Sequence, residues 1–226
     1  MRKLIILFVF AAVSQLSLAA TGQERKDVVR KETFVYAVKG TDTLRLDKYD
    51  MPGQTGLKPC VVFMFGGGFV GGNRDAEHYI DYFNFLVGEG FTVVSIDYRL
   101  GFRKFMDAGR VNGSTKAKEF LSMFEQTVFM AVEDLFSATN YVLDNADGWN
   151  IDRNVIITSG SSAGAISVLQ GEYERCNRGE LARVLPDGFR YAGVVAFAGA
   201  VYSNKGHLKW NGTPAPLQLF HGDADK

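Results

Sequence analysis

The chain has 226 residues, 46% hydrophobic and 13% aromatic, enough for one domain or slightly more with a sizeable core, and this excludes a disordered chain. Its 25 basic and 25 acidic residues balance, so nothing in the charge points to nucleic acid or to an anionic membrane surface. Two cysteines, Cys60 and Cys176, allow at most one disulfide and no metal framework, and two unpaired thiols are expected.

Residues 1–20 read as a signal peptide. Met1-Arg2-Lys3 is a basic start, Leu4 to Leu18 is mostly apolar, and Ser17-Leu18-Ala19-Ala20 supplies the small residues of a cleavage site. Ser14, Gln15 and Ser17 interrupt the apolar stretch, which is short for a membrane span, so cleavage is expected over retention as an anchor. No cysteine follows it to carry a lipid. The expected product is exported, periplasmic or secreted, with no stable membrane insertion after cleavage. A polar leader, residues 21–32, comes next.

From residue 33 onward the pattern is that of one folded domain, 33–226. Thr33 to Val38 alternates, Lys39 to Asp42 turns, and Thr43 to Tyr49 runs back, as a hairpin does. Short apolar runs then alternate with helical periodicity. Cys60–Phe65, Phe91–Ile96, Val155–Thr158, Ala192–Phe197 and Leu217–Phe220 read as strands, buried because they lack polar alternation. Tyr79, Tyr82, Phe83, Leu86 and Val87 form one helical stripe, and Phe124 to Val142 a longer one. The order predicts an α/β fold, a mostly parallel sheet with an antiparallel hairpin and helices on both faces. Residues 101–122 are polar and mixed, too long for an ordinary connection, and are expected to cover a site.

Two motifs carry chemistry. Ile156 to Ala165 reads IITSGSSAGA, three serines behind an apolar run. A serine nucleophile must stand clear of the backbone on a sharp strand-to-helix turn, which demands small residues two before and two after it. Ser162 has Gly160 and Gly164 there, whereas Ser159 and Ser161 do not meet the condition on both sides. A plain turn with solvent-facing serines is the competing reading. The second motif, Phe65-Gly66-Gly67-Gly68-Phe69, follows the first buried strand. Its glycines free backbone N–H groups to face a ligand, so Gly67 and Gly68, with Ala163 at the start of the following helix, are candidates to stabilise an oxyanion. A phosphate loop is disfavoured because the run lacks a Gly-Lys-Ser/Thr ending.

With Asp97-Tyr98-Arg99-Leu100 and Glu133-Asp134 between them, these motifs resemble the α/β-hydrolase superfamily. The likeness is nearest to its carboxylesterase and hormone-sensitive-lipase-like branch. Leu44 to Tyr49 is similar to the entry strand of its secreted esterases. The resemblance implies a serine esterase with no cofactor or metal, a small-molecule or glycan-linked ester substrate, and acetyl or feruloyl groups as candidate acyl parts. It also implies that Asp225, last in His221-Gly222-Asp223-Ala224-Asp225, supports a catalytic histidine. That histidine should follow the aspartate, and none does: His78, His207 and His221 all precede it. The expectation is therefore a domain incomplete at its C-terminus, inactive in this 226-residue form. The family pattern has His where this chain has Phe65. Arg99 and Asp134 are expected either to pair beneath the site or to stand as separate solvated charges. A catalytically silent binding protein of the same fold and a serine peptidase remain the alternatives.

Overall fold

Antiparallel alternation builds one edge of the sheet. In the computed structural model, which describes residues 29–202 and 208–223, β1 (Arg30–Lys39) and β2 (Asp42–Asp50) form the hairpin, turning at Gly40 with φ 62°. The hairpin is longer than the alternation predicts, and β1 starts inside the stretch read as polar leader. Charge explains the extension: the Arg30 guanidinium forks onto the Asp50 carboxylate at 2.9 and 3.0 Å, across the terminal pair of the register. The candidate signal peptide lies outside the described residues.

The apolar runs build the parallel part of the sheet. β3 (Lys58–Met64), β4 (Thr92–Ile96), β5 (Ile151–Ser161), β6 (Gly193–Phe197) and β7 (Leu217–Phe220) complete the order β1-β2-β4-β3-β5-β6-β7. β2 runs antiparallel to β4, and the neighbours from β4 across to β7 are parallel. β3 and β4 are buried almost throughout, which is why their sequences carry no alternation. β7 departs from the buried strand read from the sequence: it is exposed along its length, because it stands at the edge of the sheet and pairs on one side with β6.

Chain order then assigns the helices to faces. α1 (Glu77–Gly88) links β3 to β4 in one direction, while α3 (Ala117–Trp149) and α4 (Ala163–Cys176) link β4 to β5 and β5 to β6 in the other. Right-handed crossovers put α1 on one face and α3 with α4 on the opposite one. Phe63 accordingly packs against Tyr79 and Phe83 of α1, and Gly171 of α4 lies close against Leu135 of α3. Cys60 and Cys176 are both buried and unpaired. Among the described residues, no helix is long and apolar enough to cross a membrane.

Residues 101–122 depart from the single irregular segment that the sequence suggests. They hold α2 (Gly101–Asp107) and the first turns of α3, so only 108–116 is irregular. α2 forms because Gly101 seats against Thr127 of α3 and Phe102 packs its ring on Phe120 and Phe124. A seven-residue helix is too short for periodicity to reveal.

Candidate active site

The β5–α4 corner turns on one residue. Ser162 stands between strand and helix at φ 51°, ψ −116°, a backbone conformation that costs an L-residue on the order of 1–3 kcal/mol. Its N–H donates to the Phe197 carbonyl at 2.8 Å and its carbonyl accepts from Ile166 at 2.9 Å, so the turn is pinned on both sides. The flanking glycines are sterically required. A Cβ on Gly160 would sit 2.8 Å from the Ala165 nitrogen and nearer still to the Gly164 carbonyl. One on Gly164 would sit 2.6 Å from the Met64 carbonyl carbon and 2.7 Å from the Phe65 oxygen.

The three serines differ in access. Ser159 is fully buried in β5, its hydroxyl 3.2 Å from that of Tyr82. Ser161 is half-buried and ends the strand. Ser162 is exposed.

Beside this corner runs the glycine loop. A Cβ on Gly66 would come within 3.2 Å of the Ser162 Cβ, so loop and serine are in contact. Gly67, Gly68 and Phe69 take φ values of 134°, 62° and 61° in succession, which glycine supplies at the first two without strain. The Gly66 N–H donates to Tyr79 Oη at 2.9 Å, and the Gly67 carbonyl accepts from Val70 and Gly71 at 3.1 and 3.2 Å. Among the described residues, no protein acceptor takes the N–H of Gly67, Gly68 or Ala163.

Aromatic packing sets the loop's pose. Phe65 is buried with its ring 4.5 Å from that of Tyr98, and the Tyr98 hydroxyl donates to the Phe65 carbonyl at 2.8 Å. Burial, with a smaller push from Tyr79, raises the Tyr98 pKa, so the hydroxyl stays a neutral donor. Gly72 crosses over the Phe65 ring so closely that a Cβ would lie 2.6 Å from Cδ2. The N–H of Arg103 in α2 donates to the Phe69 carbonyl at 3.2 Å, which ties segment 101–122 to the loop.

Arg99 and Asp134 do pair. Asp134 is fully buried and accepts the Arg99 backbone N–H at 2.8 Å and its guanidinium at 2.8–3.1 Å, with Lys39 Nζ 3.3 Å away. Glu133 takes Arg99 at 2.6 Å and Lys39 at 2.8 Å. Burial pushes the Glu133 pKa up, but the hydrogen bonds from Lys39 and Arg99 outweigh it and leave it lowered. Burial likewise opposes the Arg99 charge, and Asp134 and Glu133 more than compensate, so its pKa is raised. This network holds the Asp97–Arg99 corner and, through Tyr98, the glycine loop.

The remaining candidates are scattered. Asp225 and His207 lie outside the described residues. His221 and Asp223 sit in the exposed turn after β7. His78 is exposed on α1, its ring 4.0 Å from that of Tyr79. Among the described residues, no group of three His, Cys, Asp or Glu side chains could hold a metal ion. Sequence reasoning missed the hydrogen-bonding roles of Tyr79 and Tyr82, which entered only as members of an apolar stripe. Their polar tips within that stripe were the available signal. It also missed the aromatic side chains linked beyond the loop, where Phe69 and Phe102 pack on Phe124, and Phe124 on Tyr202.

No family model matches the sequence. Chicken acetylcholinesterase is 31% identical over 127 residues, 56% of this chain and 15% of its own length. A probable N-octanoylanthranilate hydrolase of Rhodococcus erythropolis is 29% identical over 117 residues, 51% of this chain and 22% of its own. The chain thus spans less than a quarter of either curated relative. Among solved structures, esterase 2 of Thermogutta terrifontis superposes with a TM-score of 0.63 at 20% identity, covering 86% of this chain and 71% of that one. An esterase from Rhizomucor miehei gives 0.53 at 21% identity, covering 77% and 45%. At such identity these superpositions establish a shared fold.

Proposed function

We propose that this chain, a member of the α/β-hydrolase superfamily of carboxylesterase type, hydrolyses carboxylic esters through an acyl-enzyme on Ser162. One observation carries the reading. Ser162 is the exposed serine of the three, held at φ 51° between two glycines that tolerate no Cβ and beside a glycine loop in which, among the described residues, no acceptor takes the N–H of Gly67 or Gly68.

The mechanism follows from those parts. Ser162 Oγ attacks the ester carbonyl carbon while a histidine takes its proton. The carbonyl oxygen becomes an anion facing the N–H groups of Gly67, Gly68 and Ala163, each such donor contributing about 3 kcal/mol to the transition state. The histidine returns the proton to the departing alcohol, and water then repeats the attack on the acyl-enzyme. Asp225 orients and stabilises that histidine. The aromatic side chains from Phe69 to Tyr202 favour an ester with an apolar or aromatic part, within which glycan-linked feruloyl esters fall. Export through residues 1–20 belongs to the same proposal. A silent binding protein remains the second reading, because Phe65 stands where the resembling family's pattern has a histidine.

The test is labelling by a fluorophosphonate probe in protein expressed from its full coding sequence. Ser162→Ala should abolish labelling, while Ser159→Ala and Ser161→Ala, folded by circular dichroism, should keep it. Labelling that depends on Ser161 instead would overturn the assignment. No labelling of folded wild-type protein would favour the binding protein.

A further inference from the structure

We infer a second ligand site, for a small multivalent oxyanion, in the arginine-lined cleft at the C-terminal end of α4. The cleft is open to solvent on one side and has a volume of about 700 Å³, within the usual range of small-molecule sites. Its walls are the end of α4, the 3-10 turn Glu180–Val184, the 186–190 loop and residues 211–213. The Asn211 N–H donates to Asn177 Oδ1 at 2.7 Å and ties two of these walls together, while Asn140 Nδ2 of α3 donates to the Val184 carbonyl at 2.7 Å and holds the 3-10 turn.

The charge pattern marks it. Of the seven described arginines outside the cleft, Arg30, Arg74, Arg99, Arg103 and Arg153 each pair with a carboxylate, whereas Arg45 and Arg110 stand singly on other parts of the surface. Arg175, also lining the cleft, pairs with the buried Glu172, whose carboxylate takes the Ala215 N–H at 2.6 Å. Arg178, Arg183 and Arg190 also line the cleft, and among the described residues none has an ion-pair partner within 4.0 Å, the lining Asp187 included. A chain with no net charge has thus gathered three unpaired guanidinium groups in one concavity.

Two details separate this from a merely solvated face. The cations are arginines throughout, whose planar forks match carboxylate and phosphate oxygens two at a time, where solubility alone would accept lysine. Arg178 also occupies φ 55°, the left-handed position after the helix where glycine is the unstrained choice. Its charge complements the helix end, but that does not account for Arg183 and Arg190, which lie on other elements. Asn177 and Thr213 add hydrogen-bonding groups to the lining. Ser162 caps the opposite end of this 14-residue helix, about 20 Å away, so the cleft is separate from the serine.

Isothermal titration calorimetry of the protein expressed from its full coding sequence tests this, with citrate and pyrophosphate as multivalent probes and acetate and maltotriose as monovalent and neutral controls. Citrate or pyrophosphate should bind one to one, and the tighter of the two identifies a carboxylate or a phosphate ligand. Arg183→Gln and Arg190→Gln should each weaken binding about tenfold, as expected for a lost charged hydrogen bond. Raising salt from about 50 to about 300 mM should weaken it severalfold. Arg45→Gln, at an unpaired arginine outside the cleft, should leave it unchanged. Absence of binding by both multivalent probes overturns the inference. So does equal binding of maltotriose, or an Arg45→Gln effect as large as that of Arg183→Gln.

Discussion

At the carboxyl ends of β3 and β5 the chain packs by leaving side chains out, whereas along the β1–β2 hairpin and α3 it packs by pairing charged ones. Gly66, Gly160 and Gly164 let the glycine loop, the β5 end and the α4 start touch through backbone. On the other side Asp134, Lys48 and Asp50 are buried and held by ion pairs with Arg99, Glu32 and Arg30. The first arrangement fixes where atoms sit to within a methyl group. The second fixes the frame that the loop hangs from, because Arg99 and Asp134 hold the corner bearing Tyr98.

Removing charge from the frame should cost most. Asp134→Ala leaves Arg99 without its buried partner, and breaking such a pair costs about 3–5 kcal/mol. Urea unfolding should show a loss of that size. A loss under about 1 kcal/mol would mean that Glu133 alone can hold Arg99. Adding one methyl to the corner should cost nearly as much. Gly164→Ala drives a Cβ into the Met64 and Phe65 carbonyls, overpacking worth about 1–3 kcal/mol, and should also displace Ser162 enough to end probe labelling.

Acid should separate the two regions. Burial raises the Asp50 pKa, but hydrogen bonds from Arg30 and Lys48 outweigh it, and the folded value is lowered. A lowered carboxylate pKa contributes stability above the unfolded value of about 3.9, and that stability is lost as pH falls through the folded one. Asp50→Asn should therefore reduce stability near neutral pH and flatten its decline below about pH 4. Glycine substitutions at the corner should shift the whole curve and leave its slope alone.

The corner was legible in the sequence because its requirement is local. Gly160 and Gly164 flank Ser162 at fixed offsets, and sterics within one turn dictate them. The Arg99–Asp134 pair was legible only as a possibility, since nothing along the chain says that residues 35 apart will meet. α2 was missed because seven residues carry less than two full helical periods, and the arginine cleft because its residues converge from separate elements. Phe65 shows the limit of motif reading. Its difference from the family histidine was visible, but its packing on Tyr98 and against Gly72 required the fold.

The smallest effect gives the sharpest comparison, because the substitution stays the same and only its surroundings change. Gly148 is an exposed residue near the end of α3, with an ordinary φ and open space where a Cβ would go. Alanine there loses less backbone freedom on folding and should stabilise the protein by about 0.5 kcal/mol. Gly90 has the same open space but a φ of 89°, so Gly90→Ala should destabilise by about 1 kcal/mol through backbone strain alone. Gly164 has an ordinary φ and no space. Measured together by urea unfolding, the three variants divide the glycine requirement into conformation and contact. If Gly164→Ala costs no more than Gly90→Ala, crowding is not what the corner depends on, and the steric case for Ser162 weakens with it.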